Sequence, residues 1–187
     1  MNDAKMENPL TSCPKSLKSA LHAALSVATS TLSASSLADI DNGAARQAAD
    51  LFATAQYEFV PGDSFLTDLV CIQIMILLAL EVESRGPTPL GPSYTQWLSR
   101  AISLANTARL YVYKKSQVSN VANDHDPETE FVRRIWWTLV IMDRWHASST
   151  SSHALIPDEA AALYVEDQEL LNDNLYHLTR NLIHSLS

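Results

Sequence analysis

The sequence predicts an all-α protein, because glycine is scarce, apolar residues recur with a helical period and no alternating strand pattern is present. Only 4 of the 187 residues are glycine, while 47% of residues are hydrophobic and 18% are charged. Few glycines disfavour the tight hairpin turns of β-architectures, and the balance of apolar and charged residues is typical of a globular chain. We therefore expect a bundle-like domain of about six helices, itself a part of a larger domain.

The first two predicted helices are amphipathic. Polar residues 1–14 contain two prolines and are expected to form a flexible tail. The first helix, residues 15–37, carries one apolar stripe made of Leu17, Leu21, Ala24, Leu25, Ala28 and Leu32. The second helix covers about residues 44–59, and Pro61 and Gly62 follow its end.

The third predicted helix, residues 64–84, is apolar on nearly all sides. A helix with this pattern is buried on most of its surface, so we expect it at the centre of the domain. Its continuous apolar run, residues 69–82, is shorter than the roughly 20 residues that a membrane span needs. The N-terminal sequence also lacks a signal-peptide pattern. We expect no membrane association, and two widely spaced cysteines fit a reducing compartment.

The fourth and fifth predicted helices follow a loop rich in proline and glycine. The fourth covers residues 94–113, and a polar connector separates it from the fifth. The fifth begins clearly, with Asp126 as the N-cap, Pro127 at the first helical position and glutamates in the first turn. We expect it to end near Ala147, where a serine-rich loop begins.

A last helix is expected from about residue 158 or 167 to residue 186. Its apolar stripe needs a partner surface, so we expect protein partners or self-association. The stripe consists of Leu171, Leu175, Leu178, Leu182, Ile183 and Leu186. We assign residues 15–187 to a single helical domain.

Several function classes are disfavoured by composition and spacing. A net charge of -8 and a pI near 5.1 would repel a phosphate backbone, so this chain is not expected to bind DNA directly. No phosphate-binding glycine loop and no nucleophile elbow are present. His146 and His153, with Asp143 and Asp158 nearby, do not match a known zinc spacing. We therefore predict no catalytic residues, no metal site and no cofactor in this chain.

The fifth helix contains the densest pattern of the sequence, RRIWWTLVIMDRW. At 100° per residue, one sector combines an acid with apolar residues, namely Val132, Trp136, Leu139 and Asp143, and a second sector holds Arg133, Trp137 and Arg144. The second sector permits stacking of arginine on indole. A carboxylate in the first sector is costly unless it is paired, so we expect Asp143 to accept hydrogen bonds from an arginine or from backbone N–H groups. We favour a structural anchor over a ligand-binding or catalytic acid.

The segment ETEFVRRIWWTLVIMDRW, followed by LIPDE, resembles the signature of the fungal-specific transcription factor domain. This domain is the middle homology, or regulatory, region of fungal binuclear zinc-cluster regulators, including the xylanolytic-activator type. LVCIQIMILLAL and WLSRAISLANTARLY are similar to upstream parts of the family pattern, so the resemblance is strongest over residues 51–159. The signature residues are Arg133, Arg134, Trp136, Trp137, Asp143 and Arg144.

The sequence departs from the family pattern at two places. Where the family has Gly-Arg-Pro, this chain has Ser151-Ser152-His153, and where the family has Gly-Leu-His, it has Arg109-Leu110-Tyr111. We expect the fold to survive both changes. The geometry of the loop after the fifth helix is the feature that they affect most directly.

The resemblance implies a nuclear regulatory region that controls transcription through intramolecular, partner or effector contacts. Zinc and DNA binding would belong to a six-cysteine cluster of a parent protein, and this chain lacks that cluster. A small-molecule effector pocket is one interpretation of Trp97, Tyr111 and Trp145, and core packing is the other. The alternative function is a stand-alone helical domain that binds proteins or small molecules.

Overall fold

The computed structural model describes residues 13–33, 42–58, 60–62, 64–85, 91–113 and 127–161. Within these ranges the chain forms helices, turns and loops and no strand, which confirms the all-α prediction. Its helices are α1 (Lys15–Ser33), α2 (Asn42–Ala55), α3 (Phe65–Arg85), α4 (Tyr94–Thr107), α5 (Leu110–Tyr113) and α6 (Pro127–Thr150). A 3-10 turn, Gln56–Glu58, follows α2.

The chain divides into two compact units, Met1–Leu155 and Ile156–Ser187, and the first contains all six of these helices. The described part of the second unit is a turn, in which the N–H groups of Ala160 and Ala161 donate to the carbonyl of Pro157 at 3.0 Å. A helix beginning at residue 158 is therefore wrong for residues 158–161. Residues 162–187, where the rest of the last predicted helix falls, lie outside the described residues.

The packed chain begins earlier than predicted. Cys13, placed by sequence in a flexible tail, has only 4% of its surface exposed. The carbonyl of Pro14 accepts a hydrogen bond from the N–H of Lys18, so the first turn of α1 is already tied at this point. Burial of Cys13 moves the start of the packed chain at least two residues before the predicted boundary at residue 15.

α3 is the central helix of the first unit, as its apolar pattern predicts. It packs against α1 and α4 and buries twelve of its 21 residues. By length and composition alone α3 qualifies as a candidate membrane span, with a mean hydropathy of 2.2, but 67% of that window is buried inside the protein. This burial by neighbouring helices favours the role of a core helix.

Two carboxylates on α3 are buried and paired. Asp68 is 1% exposed, and both of its oxygens accept from the N–H of Gly62, at 3.1 and 3.2 Å. Glu81, 2% exposed, accepts from Arg85 Nε at 2.5 Å. Gly62 has φ +92°, a conformation that side chains with a Cβ rarely adopt. Asp68 therefore fixes the turn that leads into α3.

α1 packs against α2 and α3 through small residues, since Ala20, Ala24 and Ala28 are almost fully buried. The stripe predicted for α1 is partly wrong, because Leu25 and Leu32 are 48% and 64% exposed. The buried face is centred instead on the alanines. Their small side chains allow both α2 and α3 to approach α1 closely.

The predicted helix 94–113 is interrupted. Ser93 forms a capping box with Gln96 at the start of α4, which ends at Thr107. Arg109 then adopts φ 55°, and its N–H donates to the carbonyl of Asn106 at 3.1 Å. The left-handed residue redirects the chain, so that α5 is a separate single turn. No glycine or proline marks this break in the sequence.

Candidate functional site

The buried sector of α6 matches the predicted one. Its four residues have exposures of 2% or less, and they are Val132, Trp136, Leu139 and Asp143. α6 begins at Pro127, as predicted, and ends at Thr150, three residues beyond the predicted end. It packs against α4, α5 and α3, so the sector with the signature tryptophans faces the core of the first unit.

Asp143 joins α6 to the loop that follows it. The N–H of Leu155 donates to Asp143 Oδ1 at 2.9 Å, and the carboxylate is 2% exposed. This contact confirms the prediction that Asp143 accepts a hydrogen bond from a backbone N–H group. Leu155 is the first residue of the LIPDE segment, so the bond connects the two parts of the signature that are separate in sequence. A hydrogen bond to a charged group contributes about 1.5–3 kcal/mol.

A tight turn at the end of α6 brings Leu155 back to Asp143. Ser151 has φ 55°, and the N–H of Ser152 donates to the carbonyl of Ala147 at 3.1 Å. This left-handed residue and its 6→1 hydrogen bond form a Schellman motif, which satisfies a helix-end carbonyl. The Thr150 hydroxyl donates to the carbonyl of His146 at 2.7 Å and satisfies another.

The same end of α6 is fastened to the start of α4. The hydroxyl of Tyr94 donates to the carbonyl of Met142 at 3.2 Å, and the rings of Tyr94 and His146 lie 4.9 Å apart. Thr95 Oγ1 and His146 Nε2 share a hydrogen bond of 3.0 Å. The pKa of Tyr94 is raised to about 12, mainly by burial and to a smaller extent by the carboxylates of Glu83 and Asp143. Tyr94 is therefore protonated over the physiological range and able to donate.

The second sector of α6 is half-buried. Trp137 is 3% exposed, and Arg133 and Arg144 are intermediate in exposure. Arg134 forms an ion pair with Glu130 on the same helix. An arginine stacks on an indole in α4, where Arg100 lies 5.2 Å from the centre of the Trp97 ring. Stacking within α6 stays a prediction.

The aromatic residues proposed for an effector pocket have different neighbours. Trp97 is 3% exposed and its ring lies 6.0 Å from Phe52, whereas Tyr111 is 38% exposed and its ring lies 6.2 Å from Trp136. Trp145 is 69% exposed. The described contacts place Trp97 in core packing and do not bring the three rings together. A pocket built from them stays a prediction.

An open groove lies elsewhere, between α1 and α2. Its volume is about 500 Å³, and it is lined by Ser16, Ser19, Gly43, Arg46, Gln47, Asp50, Leu51, Thr54 and Ala55. Sequence reasoning missed this groove. Arg46 and Asp50 are one helical turn apart, a spacing that is common on solvated helix faces, so nothing in the sequence singled them out.

No metal-binding cluster is found among the described residues, since no three His, Cys, Asp or Glu side chains lie close enough to hold an ion. The two cysteines are free thiols and are buried. Burial raises the pKa of Cys71 to about 12, with smaller contributions from Asp68 and Cys13. A protonated, buried thiol is a poor nucleophile.

Comparison with known proteins identifies the family of the chain. The model of the fungal specific transcription factor domain matches residues 8–179. The chain belongs to this family. Over 104 residues it is also 39% identical to an uncharacterized transcriptional regulatory protein of Schizosaccharomyces pombe, a match that covers 54% of this chain and 12% of that protein. No solved structure matches the chain.

Membership in the fungal transcription factor domain family supports a regulatory role in transcription. The family match extends beyond residues 51–159, where sequence motifs alone carried the resemblance. Both departures from the family pattern fall at left-handed residues. Arg109 and Ser151 stand where the family pattern has glycine, and both have φ 55°. Glycine adopts this conformation without a steric penalty, so both departures place a residue with a Cβ at a left-handed position.

Proposed function

We propose that this chain is the regulatory region of a nuclear fungal zinc-cluster transcription factor and that its helical packing sets the activity of the parent protein. The observation that carries this proposal is the family match over residues 8–179. The relative in Schizosaccharomyces pombe is a transcriptional regulatory protein of which this chain spans 12%. Zinc and DNA binding would lie in the rest of such a parent protein. We assign no catalysis to this chain.

The proposed mechanism is a population shift between two packings of the end of α6. In one packing the Asp143–Leu155 bond is made, and in the other it is broken. A ligand or partner protein that binds one packing better than the other moves the equilibrium toward it. The bond contributes about 1.5–3 kcal/mol, which is the size of typical allosteric couplings of about 1–3 kcal/mol. Breaking it therefore shifts the equilibrium by an amount typical of allosteric coupling.

A reporter assay in yeast tests the proposal. The chain is inserted between a heterologous DNA-binding domain and an activation domain, and reporter output is compared with a fusion that lacks the chain. We expect the chain to lower the output and Asp143→Ala to restore it severalfold at matched protein level. Glu83→Ala, at an exposed acid on α3 that does not line any proposed site, is the control and should behave as the unaltered chain. Output that neither the chain nor Asp143→Ala changes would contradict a regulatory role.

A small-molecule effector is a second part of this proposal, and the groove between α1 and α2 favours it. Pockets of about 300–1,000 Å³ accept small ligands, and this groove has about 500 Å³. Arg46 and Asp50 line it, so a ligand that carries both charges would meet an opposite charge for each of its own. A thermal-shift screen of amino acids and related zwitterions tests this idea, with Arg46→Ala as the variant expected to lose any shift.

A further inference from the structure

The outward side of α6 carries large apolar side chains that the described fold leaves uncovered. Phe131, Ile141 and Trp145 are 41%, 52% and 69% exposed. At 100° per residue they lie, with Arg134 and Thr138, within about 80° of one another. We call these five residues the outer stripe. From residue 131 to residue 145 the stripe is about 21 Å long at the rise of an α-helix.

We propose that the outer stripe binds the outer stripe of a second copy of this chain, with the two α6 helices antiparallel. Residues 131, 138 and 145 are seven apart, as are 134 and 141, which is the spacing of helices that pair along a seam. Thr138 lies midway between the two aromatic residues. A two-fold axis at Thr138 therefore places each Phe131 beside the Trp145 of the other copy, so the stripe is complementary to itself.

Charges beside the stripe select the antiparallel arrangement. Glu130 and Arg144 lie along the same edge of the stripe, about 40° apart and near opposite ends of α6. In the antiparallel pair each Glu130 lies near the Arg144 of the other copy, and opposite charges attract. In a parallel two-fold pair this edge would face the opposite edge of the other copy, so the attraction between Glu130 and Arg144 would be lost. Antiparallel helix dipoles add to the same preference.

The small area predicts a weak dimer. Aromatic side chains bury about 150–250 Å² each when fully covered, and the three apolar residues of the stripe are about half exposed. They supply on the order of a few hundred Å² per copy, below the roughly 800 Å² per partner of a standard interface. We expect a dissociation constant in the micromolar range, so that association depends on concentration. This pairing does not depend on the proposed regulatory role.

Analytical ultracentrifugation of the full chain, from about 5 to about 500 µM, tests the proposal. The expected result is a monomer–dimer equilibrium in the micromolar range, weakened at least roughly tenfold by Trp145→Glu. The matched control is Leu32→Glu on α1, because Leu32 is 64% exposed but lies outside the stripe. Circular dichroism shows whether each variant remains folded.

A charge exchange tests the orientation. Glu130→Arg and Arg144→Glu should each weaken the dimer, and the double variant should be stronger than either, because each swapped pair regains an opposite partner. Glu130→Arg also removes the ion pair of Glu130 with Arg134 on its own helix, so the gain is measured against the Glu130→Arg variant. This gain distinguishes the intermolecular pair from any contact of Arg144 within its own chain.

Three results would overturn the proposal. A monomer at every concentration, with the Trp145 indole shielded from a quencher, would mean that another segment of the same chain covers the stripe. A dimer that Trp145→Glu leaves unchanged would place the interface elsewhere. Open-ended association in place of a dimer would exclude the two-fold arrangement.

Discussion

α3 and α6 each carry a buried aspartate that accepts a hydrogen bond from a loop N–H group, but the surroundings of the two helices differ. On α3, Asp68 holds Gly62, six residues before it, and other helices cover most of the helix. On α6, Asp143 holds Leu155, twelve residues after it, and the opposite side of the helix is open to solvent. A bond inside a covered helix stabilises the fold. The Asp143 bond holds a loop in which Leu155 is 47% exposed, so a molecule that binds this loop can act on the bond.

The largest effect is expected from removing buried volume on α6. Trp136→Ala should destabilise the chain by about 3–5 kcal/mol, because the side chain is 1% exposed and a large cavity would remain. Trp145→Ala, on the open side of the same helix, should change the unfolding free energy of the monomer by less than about 0.5 kcal/mol. Urea unfolding measures both values. Equal losses would contradict the division of α6 into a core side and an open side.

Removing the two aspartates compares the two loops directly. Asp68→Ala and Asp143→Ala should each cost about 1.5–3 kcal/mol, since each leaves a loop N–H without its charged acceptor. Hydrogen exchange should accelerate locally, at Gly62 in the first variant and at Leu155 in the second. Unchanged melting of Asp143→Ala would show that Asp143 is not a structural anchor.

Tyr94 supplies a prediction about alkaline pH. Its pKa is raised to about 12 from 10.0, so the folded chain binds this proton more tightly than the unfolded chain does. The resulting stability is fully present below pH 10 and is lost as pH rises from about 10 to about 12. Comparison with Tyr94→Phe isolates this contribution from that of Cys71, because the cysteine titrates in both proteins. Parallel pH profiles for the two proteins would contradict the assignment.

The smallest expected effect lies at the two left-handed residues. Ser151→Gly and Arg109→Gly should each stabilise the chain by about 0.5–1 kcal/mol, because glycine adopts a positive φ without a steric penalty. Ser151→Ala keeps a Cβ and should give no gain, which makes it the matched control. Thermal melts detect the difference. A loss of stability on Ser151→Gly would show that the serine hydroxyl matters more than the backbone conformation.

Sequence patterns located the two helices that have the strongest local signals. α3 is apolar all round and α6 has a proline at its first position, so both were located to within a few residues. The hydrogen bond accepted by Asp143 was also predicted from sequence, since a carboxylate in an apolar sector must find a donor. The donor itself, Leu155, could not be predicted, because it depends on a turn made by Ser151 in a conformation that serine rarely adopts.

Other features escaped prediction because periodicity assigns a residue to a face and not to a neighbour. Trp97 and Tyr111 share a helical pattern in sequence, but Arg109 breaks the helix between them and they contact different rings. Leu25 fits the apolar stripe of α1 and is nonetheless 48% exposed, since alanines form the contact surface. These outcomes depend on the fit between helices.

The distribution of the tryptophans gives the molecule an internal optical probe. Trp97, Trp136 and Trp137 are 3% exposed or less, whereas Trp145 is 69% exposed and lies two residues beyond Asp143. A water-soluble quencher therefore reaches one indole in four. Fluorescence lost to iodide reports on the end of α6, and the remaining emission reports on the core. The unlabelled chain can in this way reveal separately whether its outer surface is covered and whether its core has loosened.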